Sequence, residues 1–128
     1  MLRAPAVAAA GGALALALVH VRDPHVDGAY GFCPFLVLTG LPCPGCGGLR
    51  AANLLTRGDV AGAVSSNLFA VVLVAVAAVA WSVWFLRRLR GRPAPFLTWS
   101  ARTVTIAGLL VVAFGVVRVT PWGAWLAP

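Results

Sequence analysis

The chain has 128 residues, of which 61% are hydrophobic and 10% charged, and its formal net charge is +7. Soluble domains carry about 25% charged residues, so this composition excludes a disordered chain, a coiled coil and an ordinary soluble enzyme. With a mean hydropathy of +0.94 it describes a small integral membrane protein, without room for a separate soluble domain of normal size.

In chain order, the first apolar run covers residues 4–19, and with its flanks predicts a span over 4–21. Arg3 ahead of an alanine–leucine run also has the look of a secretion signal, with Ala15-Leu16-Ala17 as a small-x-small pattern. That site falls inside the apolar run, and Ala4, Ala8 and Gly12 form a small-residue ladder suited to helix contact, so a retained helix is expected. Residues 22–48 then form a loop in which Asp23-Pro24 signals a turn between His20 and His25. Within it, residues 32–41 are apolar but broken by Cys33, Pro34 and Gly40, which predicts an interfacial or re-entrant piece packed against the helices.

Residues 49–57 predict a short interfacial helix, with Arg50, Asn53 and Arg57 on one face turned to headgroups and Ala51, Ala52 and Leu55 on another. Gly58 then suits a left-handed helix stop, and Asp59 suits an N-cap. The second span is expected over 60–86 and the third over 103–120, where Arg118 would snorkel to the surface ahead of Pro121. Trp99, Trp122 and Trp125 fit an interfacial aromatic belt. The fold class expected is therefore all-α: an integral membrane bundle of three transmembrane helices, one short interfacial helix and a cysteine-containing loop. Residues 1–128 form a single domain.

Charge sets the orientation. Residues 87–102 carry Arg87, Arg88, Arg90, Arg92 and Arg102 with no acid, which predicts a cytoplasmic loop. In the 20–67 loop Arg22, Arg50 and Arg57 are balanced by Asp23, Asp27 and Asp59. That loop is expected on the outer face of the cytoplasmic membrane, with the N-terminus inside and the C-terminus outside. A basic stretch beside a span serves topology and lipid contact, so nucleic acid is not an expected partner. Expected partners are membrane lipids and either another membrane protein or further copies of the chain.

The chemistry concentrates in Cys33-Pro34 and in the TGLPCPGCG run over residues 39–47, which holds Cys43 and Cys46. Three readings stand side by side: a metal knuckle, a disulfide, and a redox pair at Cys43 and Cys46. In the knuckle, Cys33, Cys43 and Cys46 are ligands, zinc is the candidate ion, and His20, His25 or water supplies the fourth donor. Amides of the helix after Gly47 and Gly48 are expected to stabilise a Cys46 thiolate. Arg50 is a candidate partner for a thiolate, a lipid phosphate or Asp59, and Asn67 a candidate cross-helix bond. The leading function is non-enzymatic, a cysteine turn that supports partner or lipid binding; the alternative is a membrane thiol–disulfide oxidoreductase at Cys43 and Cys46, with quinone as candidate electron acceptor. No catalytic triad, phosphate loop or paired-carboxylate site is present.

Cys33-Pro34, Thr39-Gly40, Cys43-Pro44, Cys46-Gly47, Arg50, Gly58-Asp59 and Asn67, in that order, resemble bacterial domain-of-unknown-function family 2752. The resemblance covers residues 32–80 and implies a small membrane protein with no established activity. Leu49 stands where that family often has threonine, and Leu68 where it has proline after asparagine, so a proline kink after Asn67 is expected to be missing.

Overall fold

The computed structural model describes residues 3–26, 29–92, 100–123 and 125. Five helices stand among them: α1 (Arg3–Val21), α2 (Pro34–Thr39), α3 (Gly48–Thr56), α4 (Val60–Leu89) and α5 (Ala101–Arg118). Strands are absent among the described residues. α1, α4 and α5 are each long and apolar enough to cross a membrane, which makes this an all-helical, multi-pass membrane protein. Trp99 and Asp27 lie outside the described residues; Trp122 and Trp125 are exposed, as a belt requires.

α4 is the central element. The Trp81 indole donates to the Pro5 carbonyl (3.1 Å), joining the end of α4 to the start of α1. At the other end of α1, Asn53 of α3 donates to the Val19 carbonyl (2.8 Å). α5 meets the first half of α4 through Phe69 and Phe114, stacked with centroids 5.7 Å apart. The C-terminal ends of α1 and α5 therefore gather with the cysteine turn, α3 and the N-terminal end of α4. Arg87, Arg88, Arg90 and Arg92 lie at the opposite end, with the start of α5 and its Arg102.

The α3–α4 junction follows local rules. Asp59 N–H bonds the Leu54 carbonyl and Gly58 N–H the Leu55 carbonyl, the paired bonds of a helix stop that requires positive φ at Gly58 (80°). The Asp59 carboxylate then accepts the Gly62 amide (2.8 Å) as the α4 N-cap.

Three expectations about the elements are corrected. α2 buries none of its side chains, so the 32–41 piece is held by its ends and not by packing along its length. The polar face of α3 is not turned outward as a unit: Asn53 is fully buried and Arg50 Nε donates to the Pro24 carbonyl (3.3 Å), while Arg57, whose Nε donates to Asn53 Oδ1 (2.8 Å), stays exposed. The last carbonyls of a helix lack partners within it, and Asn53 supplies donors to those of Val19 and His20. Finally, α4 is broken at Asn67 (φ −166°, ψ 94°) without the help of a proline. Asn67 Oδ1 accepts the Ala70 amide (2.9 Å), so Asn67 acts as an N-cap inside the helix and starts it afresh. The stretch from 68 to 89 then rises about 33 Å, close to the hydrocarbon thickness.

Candidate metal centre

Gly47 has φ 76° and is the N-cap of α3, so the chain reverses directly after Cys46; a side chain there would be strained. The turn itself is closed by Cys46 N–H to the Cys43 carbonyl (3.1 Å) and Gly48 N–H to the Gly45 carbonyl (2.9 Å). These bonds set Cys43 and Cys46 side by side, with sulfurs 3.1 Å apart. Cys33, at the N-cap of α2, brings its sulfur to 3.4 Å from that of Cys43. All three thiols are free and partly buried, and their sulfurs lie within 4.8 Å of one another.

Two side chains from the spans hold this turn by its backbone. Asn67 Nδ2 donates to the Pro44 carbonyl (3.0 Å) and the Cys46 carbonyl (2.9 Å). Arg118 donates from one Nη to the Cys43 carbonyl (3.0 Å) and from the other to the Ser66 carbonyl (2.9 Å). Its guanidinium also sits 5.7 Å from the centre of the Phe114 ring. Arg118 is 2% exposed and does not snorkel. The break at Asn67 removes the usual helical partner of a nearby carbonyl, and inside lipid a fixed donor must replace it. A Cβ on Gly115, one turn earlier, would stand 2.9 Å from Pro44 Cγ, so α5 meets the turn with backbone against the proline ring.

The thiols differ in acidity. Cys33 is drawn down to about 7, chiefly by the amide of Leu36 in the first turn of α2, with help from the neighbouring thiols. Burial, reinforced by the Cys43 and Cys33 thiols, pushes Cys46 up to about 12. The expectation of a Cys46 thiolate stabilised by the following helix is thus reversed: desolvation outweighs the nearby amides.

Of the other residues singled out from sequence, His20 Nδ1 is bonded to Thr56 Oγ1 (2.8 Å) and His25 Nδ1 to Asp23 Oδ1 (2.7 Å). Neither joins the sulfurs. Asp23 is held below the usual carboxylate range, first by the His25 amide and side chain. Arg50 lines a cleft beside the thiols and does not reach Asp59. Arg118 and Asn53 are the residues that sequence reasoning missed. The available signal was a cation closing an apolar run, and an amide among the small residues of a short helix.

Tetrahedral zinc with bonds of about 2.3 Å places its thiolates about 3.8 Å apart, so Cys43 would move out from Cys46 (3.1 Å) and Cys33 (3.4 Å) by about 0.4–0.7 Å to hold the ion. The donor set is soft and suits zinc or another thiophilic ion. What the fold and this end of it define is a small multi-pass helical membrane protein with a three-thiol cluster clasped from two spans. Residues 33–81 match the model of a family described as "Protein of unknown function (DUF2752)", and the resemblance read from the cysteine turn holds over that segment. The match takes in all three cysteines and Asn67, while α1 and Arg118 lie outside it. No curated protein and no solved structure matches the chain.

Proposed function

We propose that Cys33, Cys43 and Cys46 form a structural metal knuckle, with zinc as the candidate ion, that holds the 22–50 loop onto the membrane helices. The observation that carries this reading is the convergence of three sulfurs within 4.8 Å on a turn whose carbonyls are already held by Asn67 and Arg118. The dense arginines of 87–102, with no acid among them, support an extracytoplasmic knuckle in a cell membrane, with the N-terminus inside and the C-terminus outside. The loop so ordered would dock lipid or another membrane protein, including a second copy of this chain. Asp59 and Asn67 serve here as caps and Arg50 as a cleft residue.

The purified full chain should carry one zinc by native mass spectrometry and elemental analysis. The Cys43→Ser/Cys46→Ser double variant should lose the ion and melt at lower temperature. Zinc-free wild type whose melting point is unmoved by added zinc would overturn the proposal.

The 3.1 Å approach of Cys43 and Cys46 also suits thiol–disulfide exchange, with a quinone as candidate electron acceptor. That chemistry needs a nucleophilic thiolate in the pair. A third sulfur, that of Cys33, stands within 4.8 Å of the pair, and a third donor has a use in a metal knuckle that it lacks in a two-thiol exchange site, which favours the knuckle. A mixed disulfide trapped by either single variant, Cys43→Ser or Cys46→Ser, would reverse that preference.

A further inference from the structure

Beside the thiols lies a cleft of about 590 Å³, lined by all three cysteines and by Arg50, Tyr30, Phe32 and Leu36 among others. Three thiolates leave one corner of a tetrahedral ion open to an outside ligand. Among the described residues no histidine or carboxylate stands with the sulfurs to fill it.

The cleft wall indicates what would fill that corner. Arg50 gives its Nε to the Pro24 carbonyl, and among the described residues no carboxylate lies within ion-pair distance of its guanidinium. A divalent ion with three thiolates carries one net negative charge; Arg50 and the nearby Arg118 offset both that charge and the charge of an arriving anion. A carboxylate can give one oxygen to the ion and turn the other to the Nη groups of Arg50, which a thiolate, with a single donor atom, cannot do. Around the cleft, Phe32 is 78% exposed, Leu36 43% and Tyr30 38%, although none belongs to a span. Apolar walls with a few convergent polar groups are the ordinary make-up of a small-molecule site.

We propose that the cleft binds an amphiphilic carboxylate, with its head on the ion's fourth position and beside Arg50, and its apolar chain against Tyr30, Phe32 and Leu36. This rests on the metal reading above. In this arrangement the ion and Arg50 supply affinity for the head, and the apolar wall supplies selectivity for a chain.

The test uses the full chain in nonionic detergent, loaded with Co²⁺, whose thiolate charge-transfer bands report the sulfurs and whose visible d–d bands report the fourth ligand. Octanoate should shift the d–d bands at a concentration at least about tenfold below that needed with acetate. Arg50→Gln should raise the octanoate concentration by about tenfold and leave the charge-transfer bands unchanged. Phe32→Ser/Leu36→Ser should abolish the preference for octanoate over acetate. A d–d envelope that ignores octanoate, equal response to acetate, equal response to octyl phosphate, or an unaffected Arg50→Gln variant would each overturn the proposal while leaving the knuckle standing. Absence of thiolate bands would overturn the knuckle, and this proposal with it.

Discussion

At the thiol end, the side chains most fully withdrawn from the surface include Asn53 and Asn67 at 0% exposure and Arg118 at 2%, and each donates to backbone carbonyls. Along the shafts of the spans the opposite holds, with Leu14, Leu109 and Val79 standing 72%, 64% and 63% exposed within the chain. In a soluble protein those positions would be reversed. Lipid is as apolar as leucine, so helices gain little by hiding apolar side chains from it. An unpaired carbonyl in the same medium is costly. Specific cohesion therefore collects where backbone is irregular, at the cysteine turn, the Asn67 break and the end of α1.

The contrast fails first at Arg118 if it fails anywhere. Arg118→Met should destabilise the protein by about 3 kcal/mol, because two enclosed carbonyls lose charged donors. Arg118→Lys should recover less than half, since an ammonium cannot reproduce the fork. Unfolding by denaturing detergent would measure both, and a loss comparable to that of a shaft substitution would break the comparison.

Asn67→Ala removes the Ala70 cap together with the clasps on Pro44 and Cys46, and about 2 kcal/mol should be lost in the same assay. Asn67→Asp keeps an acceptor for Ala70 but no donor for the turn, so its partial recovery would separate capping from clasping.

Within the cluster, Cys33 sits toward the rim and Cys46 toward the clasp. With pKa values of about 7 and about 12, Cys33 is largely thiolate at pH 8 while Cys46 remains a thiol. In metal-free protein, iodoacetamide at pH 8 should modify Cys33 at least about tenfold faster than Cys46, as peptide mapping would show. The gap should narrow as pH rises, because Cys33 is already ionised and only Cys46 gains thiolate. Equal rates at pH 8 would place both thiols in one environment.

Gly115→Ala should cost about 1 kcal/mol by pressing a methyl on the Pro44 ring, with the α5–turn contact loosened. The smallest effects belong to the shafts: Leu109→Ala and Val79→Ala should each fall within about 0.5 kcal/mol of wild type. Larger losses there would mean that those faces meet protein rather than lipid.

Much of the architecture was legible before any coordinates. Continuous apolar runs declare spans because the bilayer reads length and composition, and Gly58-Asp59 declares a helix junction through bonds between near neighbours. The closeness of Cys43 and Cys46 was equally local, a consequence of one tight turn. Legibility failed where a residue's role depends on a distant carbonyl. Arg118 looked like a surface cation because its acceptor, Cys43, lies 75 residues away. Asn53 looked like one member of a polar stripe because Val19, which it bonds, lies 34 residues away. The missing proline after Asn67 misled for a related reason: the break is maintained by side-chain bonds to another segment, and proline is one way among several to open a helix.

By itself, then, the sequence determined three helices long and apolar enough to span, the junction at Asp59, the dense arginine run after the second of them and the grouping of Cys43 with Cys46. Each of these rests on composition or on contacts within a few residues. Only the tertiary structure decided that Cys33 joins that pair, that Asn67 and Arg118 hold the turn from two spans, and that Asn53 turns inward. Those outcomes depend on which carbonyls are left unpaired once the helices stand side by side, and a linear pattern of residue types does not specify that.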